Sequence, residues 1–152
     1  MMANSYHQIY IHYIFSTKNH HPLIQPDFEK RLYKYISGIG REQEFPVLAS
    51  GGMADHLHLL VSLSPMGSVS KTIQAIKGSS SKWINDCFYP KQRQFKWQSG
   101  YGAFSVGRSG INKLTSYIKN QKTHHKRMTF KEEYRKLLKK YGVSWDEKYV
   151  WG

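Results

Sequence analysis

A chain of 152 residues, 39% apolar and 14% aromatic, can bury one hydrophobic core, and no break in composition divides it, so residues 1–152 read as a single domain. Its 23 Lys+Arg against 10 Asp+Glu leave a formal charge of +13, which points to a polyanionic partner. Nucleic acid ranks ahead of an anionic membrane surface, because no segment reads as a long basic amphipathic helix. A single cysteine, Cys87, excludes an intramolecular disulfide and a Cys-rich zinc site.

No run approaches the ~20 apolar residues of a membrane helix, and the polar start reads as no signal peptide, so the expected compartment is the cytoplasm. Eleven tyrosines and four tryptophans suggest flat surfaces for stacking or for half-wet contacts.

In chain order, residues 6–17 are aromatic and β-branched and predict a first strand. A loop with two prolines follows. Phe28, Leu32, Tyr35, Ile36 and Ile39 then recur at helical spacing over 27–40. Residues 45–50 predict a second strand, Gly51-Gly52 a turn, and 55–63 a third strand antiparallel to the second. Ser68 is the expected N-cap of a helix to about Phe88, with Ser79-Ser80-Ser81 weakening its middle. Residues 95–106 predict a fourth strand, bent at Gly100, and 107–110 a flexible link. A helix over 111–125 and a last one over 130–141 follow, the latter opened by Thr129 and Glu132 as a capping box. The order βαββαβ is that of an α+β fold, a ferredoxin-like or RRM-like antiparallel sheet with additional C-terminal helices.

Two stretches carry the chemistry. In Asp55-His56-Leu57-His58-Leu59-Leu60-Val61, residues i and i+2 of a strand share a face, so His56 and His58 leave the sheet together, about 6–7 Å apart. Leu57 points the opposite way. Taken alone, the pair is either half of a metal site or two hydrogen-bonded histidines on a polar, exposed face. In the helix over 111–125, Ile111, Leu114 and Ile118 form an apolar stripe. Tyr117 and Gln121, four apart, lie beside it one turn from each other, with His124 continuing the line. Taken alone, these read as a half-buried tyrosine and a solvated glutamine.

In combination, the histidine strand, the segment Trp97-Gln98-Ser99-Gly100-Tyr101-Gly102-Ala103-Phe104, the run from Tyr117 through Gln121 to His124-His125, and Phe130-Lys131-Glu132-Glu133-Tyr134 resemble the single-tyrosine HUH transposases of small insertion sequences. These are the TnpA type, together with relatives associated with repeated palindromes. The resemblance runs in order over most of the chain. It implies His56, His58 and Gln121 as metal ligands and Tyr117 as the nucleophile that attacks single-stranded DNA, leaving a 5′-phosphotyrosine and a free 3′-hydroxyl. It also implies a homodimer in which the tyrosine helix can act in trans, and DNA with hairpin or palindromic ends. Ligand softness alone would admit zinc or nickel; the resemblance implies Mg²⁺ or Mn²⁺.

The basic residues Lys71, Lys77, Lys82, Arg93, Lys96, Arg108 and Lys113 are candidate phosphate contacts, and Trp97 and Tyr101 candidate base platforms. Lysines 131–140 read as a solvated helix face. A non-catalytic single-stranded nucleic-acid-binding module would explain the charge and the sheet, but not His-Leu-His beside Tyr117 and Gln121. A palindrome-processing nuclease of the same family, detached from any mobile element, fits the same residues. A two-histidine phosphoesterase would need two His-x-Ser/Thr motifs, which the chain lacks. A carboxylate-triad nuclease is disfavoured because Asp55 is the only obvious acid in an apolar setting.

Overall fold

A computed structural model describes residues 5–152. In chain order its elements are β1 (Tyr10–Ser16), α1 (Pro26–Glu42), β2 (Val47–Met53), β3 (His56–Ser62), α2 (Val69–Phe88), β4 (Gly102–Val106), α3 (Ile111–Lys119), α4 (Gln121–His124) and α5 (Phe130–Lys140). The strands form one antiparallel sheet in the order β2-β3-β1-β4. This is the ferredoxin-like arrangement expected from the element order, with three further helices.

Both faces of the sheet are covered, and alternation along the central strands sorts their residues between two layers. Ile11, Tyr13 and Phe15 of β1 and Leu57, Leu59 and Val61 of β3 point to one face. There they pack with Phe28, Leu32 and Ile36 of α1 and Ile73, Ile76 and Ile84 of α2. The alternate residues face the C-terminal helices: Ile14 and Phe104 meet Phe130, Tyr134, Leu137 and Leu138 of α5, while Ala49 and Leu60 meet Ile118 of α3. His12, His56 and His58 belong to this second layer and are fully buried. The exposed face expected for the histidine pair is therefore covered, because α3, α4 and α5 close over it.

The helix starts follow their caps. The Ser68 side chain accepts from the Lys71 N–H, and α2 runs unbroken through its serines. Thr129 and Glu132 form the reciprocal capping box of α5, a local device contributing about 1 kcal/mol.

Three elements depart from expectation. β1 begins at Tyr10, opposite Ser62 where β3 ends, so residues 6–9 have no strand to pair with. Of the expected fourth strand, residues 102–106 form the continuous ladder, and Trp97 adds one isolated antiparallel bridge to Thr17. Side chains satisfy much of the preceding segment's backbone: the Asn85 carboxamide bonds both backbone groups of Phe95, and the Lys77 ammonium donates to the carbonyls of Gln98, Ser99 and Gly100. Gly51 and Gly52 lie inside β2 and not at a turn. A Cβ on Gly51 would collide with the Ile118 carbonyl oxygen of α3, and one on Gly52 with the His56 carbonyl oxygen, so glycine is required by close backbone approach. Among the described residues, no helix is long and apolar enough to cross a membrane.

Candidate active site

β3 presents His56 and His58 to the second layer, and each ring has one nitrogen fixed from behind. His56 Nδ1 lies 2.8 Å from Asp55 Oδ1, and His58 Nδ1 lies 2.8 Å from His12 Nε2 on β1. With those nitrogens occupied, both Nε2 atoms turn toward a common centre. Such partners fix the ring orientation and tautomer of imidazoles that bind metals.

The centre holds the carboxylate of Glu133, from the first turn of α5 and 1% exposed. Its Oε1 lies 3.0 Å from His58 Nε2, 2.9 Å from His125 Nε2 and 3.4 Å from His56 Nε2. Its Oε2 accepts hydrogen bonds from the Tyr117 hydroxyl and, at 3.2 Å, from Gln121 Nε2. Gln121 Oε1 in turn lies 3.1 Å from His56 Nε2. One ligand atom each from His56, His58, His125 and Glu133 falls within 4.8 Å of the others.

The helix carrying the tyrosine breaks at Asn120 (φ −96°, ψ 20°), separating α3 from α4. Tyr117 and Gln121 still converge on the carboxylate. Lys122 anchors the short α4 by donating to Glu29 of α1 at 2.6 Å and to the Gly52 carbonyl at 2.7 Å.

Electrostatics follow from this packing. Burial opposes charge on Glu133, but hydrogen bonds from His125, His56 and His58 hold its carboxyl far below the usual range. Burial likewise works against a charged His56. Asp55 and Glu133 override it and lift the imidazole to about 9. His58, fully buried, is lowered by desolvation. Burial, reinforced by His58, lowers His12 to about 3. Burial and the charge of Glu133 both raise the Tyr117 phenol, so it rests protonated.

A cleft of about 630 Å³ opens beside this cluster between β4, α3 and α5, with Tyr117, His12 and Glu133 among its lining residues and Lys113, Lys136 and Lys140 among its basic ones. Of the basic residues singled out from sequence, Lys113 alone lines it. Lys71, Lys77 and Lys82 ride on α2, on the far side of the sheet. The Lys77 ammonium is engaged by three carbonyls, and Lys82 and Arg93 pair with Asp86. Arg93 and Lys96 line a separate hollow with Lys18, and exposed Arg108 opens the turn before α3.

The two candidate base platforms lie in different settings. Trp97 is in the core: it meets Phe15 and Phe95 edge-on, and its indole N–H donates to Ser80. Tyr101 is half-buried, edge-on to Tyr13. Lys136 and Lys140 of the last helix border the cleft.

Sequence reasoning gave no role to Glu133, His125 or His12, and Glu133 is the most central of the three. Its signal was an acid inside the stripe Phe130, Tyr134, Leu137, Leu138, where helical periodicity demands burial.

The family model described as "Transposase IS200 like" matches residues 5–121. The ISDra2 transposase TnpA of Deinococcus radiodurans is 23% identical over 120 residues, covering 76% of this chain and 85% of that protein. The transposase for insertion sequence element IS200 of Salmonella typhimurium is 34% identical over 80 residues, 49% of this chain and 51% of that protein. Among solved structures, a candidate transposase from Deinococcus radiodurans R1 superposes with a TM-score of 0.64 at 22% identity, over 80% of this chain and 96% of that one. A REP-associated tyrosine transposase bound to a REP hairpin gives 0.56 at 14% identity, over 78% and 70%.

Proposed function

The chain belongs to the IS200-like transposase family, and on that premise we propose that it cuts and rejoins single-stranded DNA through a covalent link to Tyr117. The observation that carries this reading is the convergence of the Tyr117 hydroxyl, Gln121 and the paired Nε2 atoms of His56 and His58 on one buried point. The phenol oxygen attacks the phosphorus, an oxygen–phosphorus bond forms and the bond to the 3′-oxygen breaks. The phenolic proton is lost and the 3′-oxygen departs as a hydroxyl. A later 3′-hydroxyl reverses the exchange, so the bond energy is kept in the phosphotyrosine.

The donor set fits a divalent cation. Both imidazoles have their Nδ1 atoms engaged by Asp55 and His12, which turns both Nε2 atoms to the common centre, and Gln121 Oε1 is 3.1 Å from His56 Nε2. We assign His56, His58 and Gln121 as its holders and Mg²⁺ or Mn²⁺ as its identity. Such an ion would act as a Lewis acid on the scissile phosphate. Tyr117 meets the cluster of its own chain, which supports a complete site in each protomer of the homodimer that the resemblance implies. The REP-associated relative was solved on a hairpin, and we extend hairpin-ended single-stranded DNA to this chain as its substrate.

The test is to incubate the protein with a single-stranded hairpin oligonucleotide and Mg²⁺ or Mn²⁺ and look for an adduct that survives denaturant. Wild-type protein is expected to form one, dependent on the ion. An adduct formed equally by Tyr117→Phe would overturn the assignment of the nucleophile.

A further inference from the structure

We propose that Glu133 is itself a metal ligand, so that α5 completes the ion site from outside the segment matched by the family model, which ends at residue 121. The inference rests on the metal reading of His56 and His58 and adds to it a carboxylate that changes the chemistry of the site.

The first argument is geometric. Atoms bound to one ion at about 2.1 Å and at right angles to each other stand about 3 Å apart. Glu133 Oε1 stands 3.0 Å from His58 Nε2 and 3.4 Å from His56 Nε2, the spacing of neighbouring corners in such a shell. The second argument is burial. Glu133 is 1% exposed, and its position continues the stripe that packs α5 onto the sheet. A carboxylate is expensive there unless its charge is used. The third is the division of labour between its two oxygens. Oε1 faces the imidazoles of His56, His58 and His125, while Oε2 takes the Tyr117 hydroxyl and the Gln121 amide N–H, with His124 Nε2 at 3.7 Å. A ligating Oε1 would thus tie the ion to the nucleophile through a single side chain. Two imidazoles and a carboxylate are also harder donors than two imidazoles and an amide, which favours Mn²⁺ over softer ions.

The experiment is Mn²⁺ titration of the full chain, read from loss of the free-ion electron paramagnetic resonance signal, with circular dichroism to check folding. Glu133→Gln is expected to weaken Mn²⁺ binding at least tenfold and Glu133→Asp to restore part of the loss. Wild-type affinity, or tighter binding, in Glu133→Gln overturns the proposal provided that His58→Ala still loses affinity. If His58→Ala binds like the wild type, the histidine reading beneath the proposal fails instead. A second measurement needs no substitution at Glu133. In wild-type protein labelled with ¹³C at the glutamate carboxyls, substoichiometric Mn²⁺ is expected to broaden one glutamate resonance before all others. Uniform broadening overturns the proposal.

Discussion

The two faces of one sheet are built from alternate residues of the same two strands, yet they obey different rules. Toward α1 and α2, β1 and β3 present Ile11, Tyr13, Phe15, Leu57, Leu59 and Val61, a layer of apolar area. Toward α3, α4 and α5 they present His12, Ile14, Ser16, His56, His58 and Leu60, a layer in which apolar contacts surround a cluster of hydrogen bonds. The first layer holds the fold by excluded water, roughly 1.5–3 kcal/mol for each large side chain. The second is held by groups that must each find a partner, because a buried polar group left alone costs about 1–3 kcal/mol. One face can therefore be reshaped by volume, and the other fails by losing single bonds.

The largest expected effect is on chemistry and belongs to the second face. Tyr117→Phe removes the one hydroxyl held at the carboxylate. It should abolish the denaturant-resistant adduct while leaving hairpin binding within about threefold, as read by gel and by fluorescence anisotropy. Leu59→Ala should do the opposite, costing about 2–5 kcal/mol of stability in urea denaturation with adduct formation retained wherever the chain is folded. His58→Ala should sit between them, losing the adduct and about 1–3 kcal/mol, since Glu133 and His12 each lose a partner. A loss of stability as great as that of Leu59→Ala, with the adduct intact, would erase the distinction between the faces.

The next effect is on pH dependence. His56 is raised to about 9, so its stabilisation is full below the ordinary histidine value near 6.5 and is lost as pH rises toward 9. His12 is lowered to about 3, so its contribution is intact above 6.5 and is lost as pH falls toward 3. Ion-free protein should be most stable near neutral pH, and Asp55→Asn should flatten the alkaline limb of the stability profile. An unchanged alkaline limb in that variant would show that His56 does not gain its proton from this pair.

The smallest effects concern DNA binding. Lys136→Ala at the cleft should weaken hairpin binding severalfold and reduce the salt slope by about 1. Lys82→Ala, across the sheet, should stay within twofold. The reverse order would move the strand path to the α2 side.

Much of this was legible in the sequence, for physical reasons that differ by residue. Short runs of aromatic, β-branched and apolar strand-formers announced β1 and β3, and the capping signals of Ser68 and Thr129 act within four residues, so they survive without tertiary context. His56, His58, Tyr117 and Gln121 could be named from spacing and resemblance, but their burial could not, because it depends on helices folding back from far along the chain. Glu133 was hidden for the same reason. A charged residue in an apolar stripe looks like an interruption until its partners at 56, 58, 117, 121 and 125 arrive from other elements. Gly51-Gly52 read as a turn, because the need for bare backbone comes from Ile118, which no local pattern reports. The break at Asn120 was likewise masked, because the helical line Tyr117, Gln121, His124 continued past it.

Gly51 has one last consequence. At Gly51, where α3 meets β2, the main chain at Ile118 rests directly on strand main chain, and the strand contributes no side chain to the contact. The height of the tyrosine helix above the histidine strand is thus set by the thickness of two polypeptide backbones, a gauge that sequence drift cannot adjust in small steps. Even the smallest insertion there, a methyl group, has to lift α3 itself. Any side chain at this position is accordingly expected to shift Tyr117 relative to the histidine pair.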